Sequence, residues 1–280
     1  MAKRRRNKKR IVAAVFAITA SLLIVICSVL SLFMTCADKL EYWHPDYPME
    51  NIEGILSSSS LSDEDYATLY KQTGLTKVGI DRMIAKGKSG TDKILEIQQG
   101  YFKERKMVRK PFGLYMCTDH VDSRVPITFL ENGDILVTSS THIAGWRIGH
   151  SGLVVNGEMN EVLQAESYGQ TSVVKTTRRF TDRVNFMVLS PKDKDVKDKV
   201  AEYALKNLVG INYSSLVGIF SSKNSISKTH CSHLVWYAYK QFGIDLDSNG
   251  GTMVMSKDIA NSPYLEIVQI FGFEPNKLWK

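Results

Sequence analysis

The longest apolar run of the chain covers residues 11–34 and contains no charged side chain. At ~1.5 Å of rise per residue, a helix of this length crosses a hydrocarbon layer about 30 Å thick. A cleavable signal peptide has a shorter apolar region and a small-residue exit, and residues 32–36 fit that exit poorly. We therefore expect an uncleaved transmembrane anchor, with cleavage of the segment or lipidation of Cys36 as the alternatives.

The pattern of polar and apolar positions changes after the anchor. Residues 35–60 contain prolines and a run of four serines, which predicts a loosely ordered stem. Residues 61–110 show short amphipathic stretches separated by glycines, which predicts a helical block whose first helix is capped by Ser62 and ended by Gly74. Residues 111–280 begin with short β-rich runs and continue with helical stretches, which predicts one α+β domain.

Five β-rich runs follow one another in the first half of that domain and predict a central antiparallel sheet. The pair Asn156-Gly157 is a strong hairpin signal between the second and third runs. A helical stripe at residues 195–208 and an apolar helix that begins at Cys231 and stops near Gly243 come later in the chain. The predicted strands cover residues 134–138, 150–155, 161–165, 172–176 and 185–189.

The net charge of +7 has a local origin. Seven of the 36 basic residues lie within residues 1–10, which leaves 29 basic residues against 29 acidic ones in the remainder. A neutral body argues against a nucleic-acid-binding domain. Because basic residues beside a membrane span mark its cytoplasmic side, we expect residues 1–10 to be a cytoplasmic tail. The domain then lies outside the cytoplasm, held at the cell membrane by a single span.

Cys231 is the candidate nucleophile. Two of the four cysteines lie in or beside the anchor, so that only Cys117 and Cys231 belong to the body and no disulfide framework is indicated. Cys231 begins an apolar helix, where the positive end of the helix dipole lowers the pKa of a thiol. The alternative for Cys231 is a small buried core residue.

A thiolate nucleophile usually needs an imidazole, and no histidine follows His233. His230 and His233 are too close to Cys231 in sequence to face it well, so the base is expected upstream. His150 begins a predicted strand, where its side chain is held rigidly. We therefore predict His150 as the general base, which places the base before the nucleophile in the chain.

A third residue is expected to orient the imidazole by accepting its other N–H. The antiparallel strand that follows His150 places a residue near position 164 opposite it, and Gln164 and Glu166 project to the same face. Gln164 is the first candidate, and Glu166 is the alternative because a carboxylate also stabilises an imidazolium. The backbone N–H of Cys231 and the hydroxyl of Tyr213 are candidate donors to an oxyanion, although Tyr213 is also interpretable as a core aromatic.

The segments around these residues resemble the NlpC superfamily of papain-like cysteine hydrolases, in which a Gly-x-x-Tyr segment precedes a Cys-Ser-x-Leu-Val helix start. The segments upstream of Cys231 resemble its circularly permuted YiiX/YebB-like branch, where histidine precedes cysteine. Together they cover about half the chain. The resemblance is carried by Gly-Ile-Asn-Tyr at 210–213, His-Cys-Ser-His-Leu-Val at 230–235 and residues 243–246, 133–136, 149–155, 256–259 and 265–268.

The resemblance implies a circularly permuted papain-like domain with a central antiparallel sheet, Cys231 as nucleophile and His150 as base. Two positions differ from the pattern: this branch often has Glu-Ala where the chain has Gln164-Ala165, and His233 stands where the superfamily commonly has a small residue. His233 is therefore expected either to crowd the cleft or to shape specificity.

The function that the resemblance implies is hydrolysis of amide bonds through an acyl-enzyme, and in a bacterium an outward-facing domain would meet cell-wall (peptidoglycan) peptides. Two alternatives stay open: a lipid acyl hydrolase or acyltransferase of the same fold, and a non-catalytic binding module that retains the fold. The sequence contains no metal-binding cluster, phosphate-binding glycine loop or dinucleotide fingerprint, so no cofactor or metal is expected.

Overall fold

The computed structural model describes residues 2–37, 40, 42–109, 116–143, 146–277 and 279, and it begins with one long helix. Helix α1 spans Ala2–Ala37, and its segment Ile11–Leu30 is long and apolar enough to cross a membrane. The side chains of that segment are exposed throughout. A helix with these properties near the N-terminus is either a membrane span or a signal sequence.

A short helix within the predicted stem packs with the three helices described in the predicted helical block, and the four enclose a small apolar core. Ser62 caps the second of them through a capping box with Asp65, and Gly74 ends it in the left-handed conformation, so both predicted ends are confirmed. The helices are α2 (Glu53–Leu56), α3 (Asp63–Thr73), α4 (Lys77–Ile84) and α5 (Lys88–Phe102).

Residues 42–56 are packed against the body, so the expectation of a loosely ordered stem is wrong for them. The backbone N–H of Trp43 donates to the carbonyl oxygen of Gly272 at 2.9 Å. Ile52 is fully buried in the core of the helical block. The aromatic and aliphatic side chains of this segment bury apolar surface that holds it in place, in spite of its prolines.

The central sheet is antiparallel and has six strands in the order β10-β9-β4-β6-β7-β8. The five predicted strands are confirmed as β4, β6, β7, β8 and β9, and the α+β class is confirmed with them. Two short ladders, β1 with β3 and β2 with β5, lie beside the sheet. The strands are β1 (Met107–Val108), β2 (Met116–Thr118), β3 (His120–Val121), β4 (Ile135–Thr138), β5 (Thr141–Ile143), β6 (His150–Asn156), β7 (Glu161–Gln164), β8 (Val173–Thr176), β9 (Phe186–Pro191) and β10 (Leu265–Phe271).

Both faces of the sheet are buried, because alternate residues of its strands enter two different cores. On one face Val137 and Leu153 pack with the last three helices, and on the other Leu136 and Val154 pack with Phe180 of the helix before them. Among the later helices, α8 lies against β6, the strand that begins with the candidate base. These helices are α6 (Arg178–Thr181), α7 (Lys197–Asn207, after a short 3-10 turn), α8 (Cys231–Lys240) and α9 (Ser256–Ala260).

The helical block covers the β10 edge of the sheet. The backbone N–H of Thr76 donates to the carbonyl oxygen of Val268 at 3.0 Å, and the Thr76 hydroxyl bonds the carbonyl of Ile267 instead of capping α4. Arg82 of α4 reaches the buried carboxylate of Asp134 at 2.5 Å, at the start of β4. The block and the sheet therefore pack as one body.

Candidate active site

Cys231 and His150 lie together at one end of the central sheet, because each is the first residue of its element. Cys231 begins α8, His150 begins β6, and the two elements pack against each other. Cys231 is 8% exposed, and its thiol lies beside the imidazoles of His150 and His230. The structure thus brings together the nucleophile and the base that the sequence indicates.

The surroundings of Cys231 favour its thiolate. Burial raises the pKa of the thiol, but the neighbouring imidazoles of His150 and His230 outweigh burial and hold the pKa well below its ordinary value. The N-terminus of α8 acts in the same direction, since the helix dipole favours negative charge there. These contacts favour the thiolate form of Cys231.

Gln164 fixes which nitrogen of His150 faces the thiol. The Nε2 atom of His150 lies 2.9 Å from Oε1 of the fully buried Gln164. An amide oxygen only accepts hydrogen bonds, so Nε2 carries a proton and Nδ1 is left for the sulfur. The ring also stacks on Phe180, with centroids 5.4 Å apart and an interplanar angle of 19°. The imidazole is therefore held from its edge and from its face.

The register of the hairpin differs by two residues from the sequence-based expectation. Leu153 pairs with Leu163, so Gln164 comes opposite Gly152 and meets His150 diagonally. A diagonal neighbour on an antiparallel pair is close enough for a long side chain to reach. A bulge near the turn, between Val154 and Asn156, shifts the register away from simple counting.

Glu166 contacts two cations and not the imidazole edge that Gln164 occupies. Its carboxylate oxygens lie 2.6 Å from Nζ of Lys175 and 3.2 Å from Nε of Arg179. Burial raises the pKa of Glu166, but the Lys175 hydrogen bond and the charges of Arg179 and His150 bring it below its ordinary value. Glu166 is therefore an ionised neighbour that adds negative potential near His150.

Tyr213 lines the cleft beside Cys231, as expected of an oxyanion donor. Burial and the charge of Cys231 raise the pKa of the phenol, so it keeps its proton and can donate it in a hydrogen bond. Tyr213 is paired by a β-bridge to Thr229, two residues before the nucleophile, which holds it at the start of α8. The first N–H groups of α8 provide further donors, because a helix leaves them without intrahelical partners.

The cleft around Cys231 has a volume of about 330 Å³ and a mostly apolar wall. A second cleft of about 210 Å³ is polar, with Glu166, Gln170, Arg179 and Arg183 in its wall. His150 lines this polar cleft and not the apolar one, whereas Cys231 lines the apolar cleft and not the polar one. The apolar side chains beside Cys231 are Ile143, Trp146, Ile148, Met253 and Met255.

His230 was expected to lie too close to Cys231 in sequence to face it well, yet its ring lines the same cleft and lowers the pKa of the thiol. As the N-cap residue of α8 it has an extended backbone, with φ −123° and ψ 176°, so its ring folds back over the first turn. Its Nδ1 accepts a hydrogen bond from the backbone N–H of His233 at 3.4 Å. The signal in the sequence was its position directly before a helix start, where side chains bond back to the first turn.

Three hydroxyl groups behind the thiol were not singled out as site residues from the sequence. Sγ of Cys231 lies 3.6 Å from Oγ of Ser232, which lies 3.0 Å from Oγ of Ser256. Ser151 of β6 donates to the same Ser256 oxygen at 2.9 Å. These buried hydroxyls connect α8, α9 and β6 and fix the position of the nucleophile relative to the sheet.

His233 points away from the cleft and does not crowd it. Its ring nitrogens lie 2.9 Å from the Thr229 hydroxyl and 2.7 Å from the carbonyl oxygen of Lys223. Burial lowers the pKa of His233 to about 4, so the ring is neutral at pH 7. Its contacts attach the loop before α8 to the helix.

Within the residues that the structure describes, no group of three or more His, Cys, Asp or Glu side chains is arranged to hold a metal ion. Comparisons of the chain with protein-family models, with curated proteins and with solved structures find no match.

Proposed function

We propose that the chain is a cysteine hydrolase in which Cys231 attacks an acyl carbon and His150 serves as general base and acid. The observation that carries the proposal is the buried Cys231 thiol, which has a lowered pKa and contacts an imidazole that Gln164 orients. Core cysteines in apolar surroundings have raised pKa values, so this environment argues against a purely structural role.

The mechanism follows from the placement of the donors. Nδ1 of His150 takes the thiol proton, and the thiolate adds to the carbonyl carbon. The backbone N–H of Cys231 and the Tyr213 hydroxyl stabilise the oxyanion of the tetrahedral intermediate. The His150 imidazolium then protonates the leaving group and a thioester forms. Water, deprotonated by His150, cleaves the thioester and restores the thiol.

The base precedes the nucleophile in the chain, the base lies on a sheet strand and the nucleophile lies at a helix start. This order supports a circularly permuted papain-like domain of the NlpC type. The apolar segment Ile11–Leu30, with the basic residues before it, supports a single-pass anchor with a cytoplasmic N-terminus. On this topology the site lies outside the cytoplasm, and the amide bonds of cell-wall peptides are the first candidate substrate.

Lipid acyl groups are the second candidate substrate, and the wall of the Cys231 cleft favours them. An aliphatic chain buries apolar surface against Ile143, Ile148 and Met253, whereas a charged wall peptide would leave its polar groups without partners there. The reaction is the same in both cases, because each substrate transfers an acyl group to the thiolate.

The test uses the full chain in nanodiscs, offered muropeptides and phospholipids in parallel and followed by mass spectrometry. We expect turnover of one class, a thioester on Cys231 in the wild type, and loss of turnover in Cys231→Ala and His150→Ala. Gln164→Leu should lower kcat without the same change in KM, since it affects the tautomer of His150 and not the cleft.

Circular dichroism checks that each variant is folded, and alkylation checks the reactivity of Cys231. Each variant should retain the spectrum of the wild type, and Cys231 should react with iodoacetamide much faster than Cys117 does. Turnover that survives in either alanine variant would contradict the assigned role of that residue. Equal alkylation rates of the two thiols would favour a binding module in place of an enzyme.

A further inference from the structure

The chain enters the folded body at the same end of the central sheet as the candidate site. Trp43 donates to Gly272, the residue directly after the last strand residue, Phe271. Phe271 of β10 pairs with Phe186 of β9. The register of β9 with β4 places Phe186 beside Thr138, and Thr138 pairs with His150 of β6. Three strand spacings of about 4.8 Å place His150 only about 14 Å from the Phe271 strand end.

The connection between the apolar span and this point of entry is short. The span ends at Leu30 and helix α1 continues to Ala37, which adds about 10 Å at 1.5 Å per residue. The six residues from Ala37 to Trp43 reach at most about 20 Å. A folded body of about 240 residues has a radius of gyration of about 18 Å, hence a width of about 45 Å. The connection is therefore shorter than the body is wide.

Large apolar side chains are exposed around the mouth of the Cys231 cleft. Phe220 is 80% exposed and Trp146 is 56% exposed, and Leu216 and Ile219 are also exposed. Gly218, between the last two, lies against the backbone of Met253, which lines the cleft. An exposed apolar group of this kind, rather than scattered single residues, is typical of a surface that contacts a partner or a membrane.

We propose that this end of the sheet rests on the outer surface of the bilayer that holds α1, with Trp146, Leu216, Ile219 and Phe220 inserted at the level of the lipid headgroups. The cleft of Cys231 then opens at the lipid–water boundary and receives substrates that lie in or at the membrane. The inference rests on the proposed anchor and not on the proposed chemistry. Aromatic and aliphatic side chains on one face favour this depth in the bilayer.

The test uses the full chain in nanodiscs whose lipids carry bromine near the headgroup end of the acyl chains, since bromine quenches tryptophan at close contact. In a Trp146→Phe parent, which keeps Trp43, Trp236 and Trp279 as a constant background, Phe220→Trp reports on the cleft mouth. Met159→Trp is the matched control, because Met159 is 66% exposed in the β6–β7 turn at the opposite end of the sheet.

Phe220→Trp and Met159→Trp each add tryptophan fluorescence to that of the parent. We expect brominated lipid to quench most of the fluorescence added at position 220. The fluorescence added at position 159 should not change. Equal quenching at the two positions, or none at Phe220→Trp, would overturn the inference, as would a full chain that does not remain in the nanodisc. Failure of the proposed chemistry is separate and visible as slow alkylation of Cys231 in the same samples.

Discussion

His230 has two contacts that serve different purposes. One nitrogen caps α8 by accepting the His233 backbone N–H, and the ring also lies beside the thiol of Cys231 and lowers its pKa. Capping is worth about 1 kcal/mol and stabilises the helix that begins with Cys231. The contact with the thiol favours the thiolate. The pair of imidazoles, His150 and His230, therefore surrounds a single sulfur atom.

Replacing His230 separates the two contacts. His230→Asn retains a good N-cap and removes the imidazole, whereas His230→Ala removes both. We expect the Cys231 pKa to rise in both variants, so that the pH at which half of the thiol reacts as thiolate moves to a higher value. Only His230→Ala should lose about 1 kcal/mol of unfolding free energy. The pH dependence of iodoacetamide labelling measures the change in the Cys231 pKa, and chemical unfolding measures the change in stability. A labelling profile unchanged in both variants would contradict the role of His230 in lowering the Cys231 pKa.

The sequence indicates some of the site residues and not others, for a physical reason. Cys231, His150 and Gln164 were identifiable because a helix start, a strand start and the period of two along a strand each specify a direction for the side chain. The contact of His230 depends on the extended backbone of a cap residue, and the sequence does not specify it. The hydroxyls of Ser151 and Ser256 meet only through the packing of α9 on the sheet, which no local pattern encodes.

At the scale of elements, the loop before α8 is attached to that helix by His233. The neutral ring bonds the Lys223 carbonyl and the Thr229 hydroxyl while its face lies near Trp236. Because burial disfavours the charged ring, the pKa of His233 falls from 6.5 to about 4 on folding. Between these two pH values the unfolded chain binds a proton that the folded chain does not.

This difference predicts the direction of a pH effect on stability. The stability that His233 contributes is fully present above pH 6.5 and is lost as the pH falls towards about 4. The loss amounts to at most about 3 kcal/mol of unfolding free energy. His233→Gln keeps an amide N–H that can bond the Lys223 carbonyl and does not titrate. We expect its urea midpoint, followed by tryptophan fluorescence, to change less across this pH range than that of the wild type. An equal change in the two proteins would contradict the assignment.

Strand prediction succeeded where the pattern was local and failed where it depended on distant partners. β6 and β7 were identifiable because two short β-rich runs flank the turn signal Asn156-Gly157. β10 comes after α9 and pairs with β9 across a long stretch of sequence, and only the resemblance indicated a strand there. The segment at 42–56 carries prolines typical of a linker, but its apolar side chains fill gaps on the surface of the body.

At the scale of the whole molecule, the helical block completes the sheet. A sheet edge exposes unpaired backbone groups, and α4 covers the β10 edge through Thr76 and the close approach of Gly79 to Val268. The buried ion pair of Arg82 with Asp134 joins the block to β4, and breaking such a pair leaves an uncompensated charge. The sequence showed amphipathic helices but not the surface that their apolar faces meet, because that surface is formed by strands more than a hundred residues away.

Gly79 tests whether this contact holds the block in place. A Cβ at Gly79 would collide with the carbonyl oxygen of Val268, whereas a Cβ at Gly54 of α2 would have nothing within 4 Å. Alanine gains up to about 1 kcal/mol over glycine inside a helix. Gly54→Ala should therefore be neutral or stabilising, and Gly79→Ala should lose about 1–3 kcal/mol of unfolding free energy because overpacking outweighs helix propensity. Urea unfolding of both variants measures the sign. If Gly79→Ala were as stable as Gly54→Ala, α4 could withdraw from β10 without cost, and the block would not contribute to the stability of the sheet.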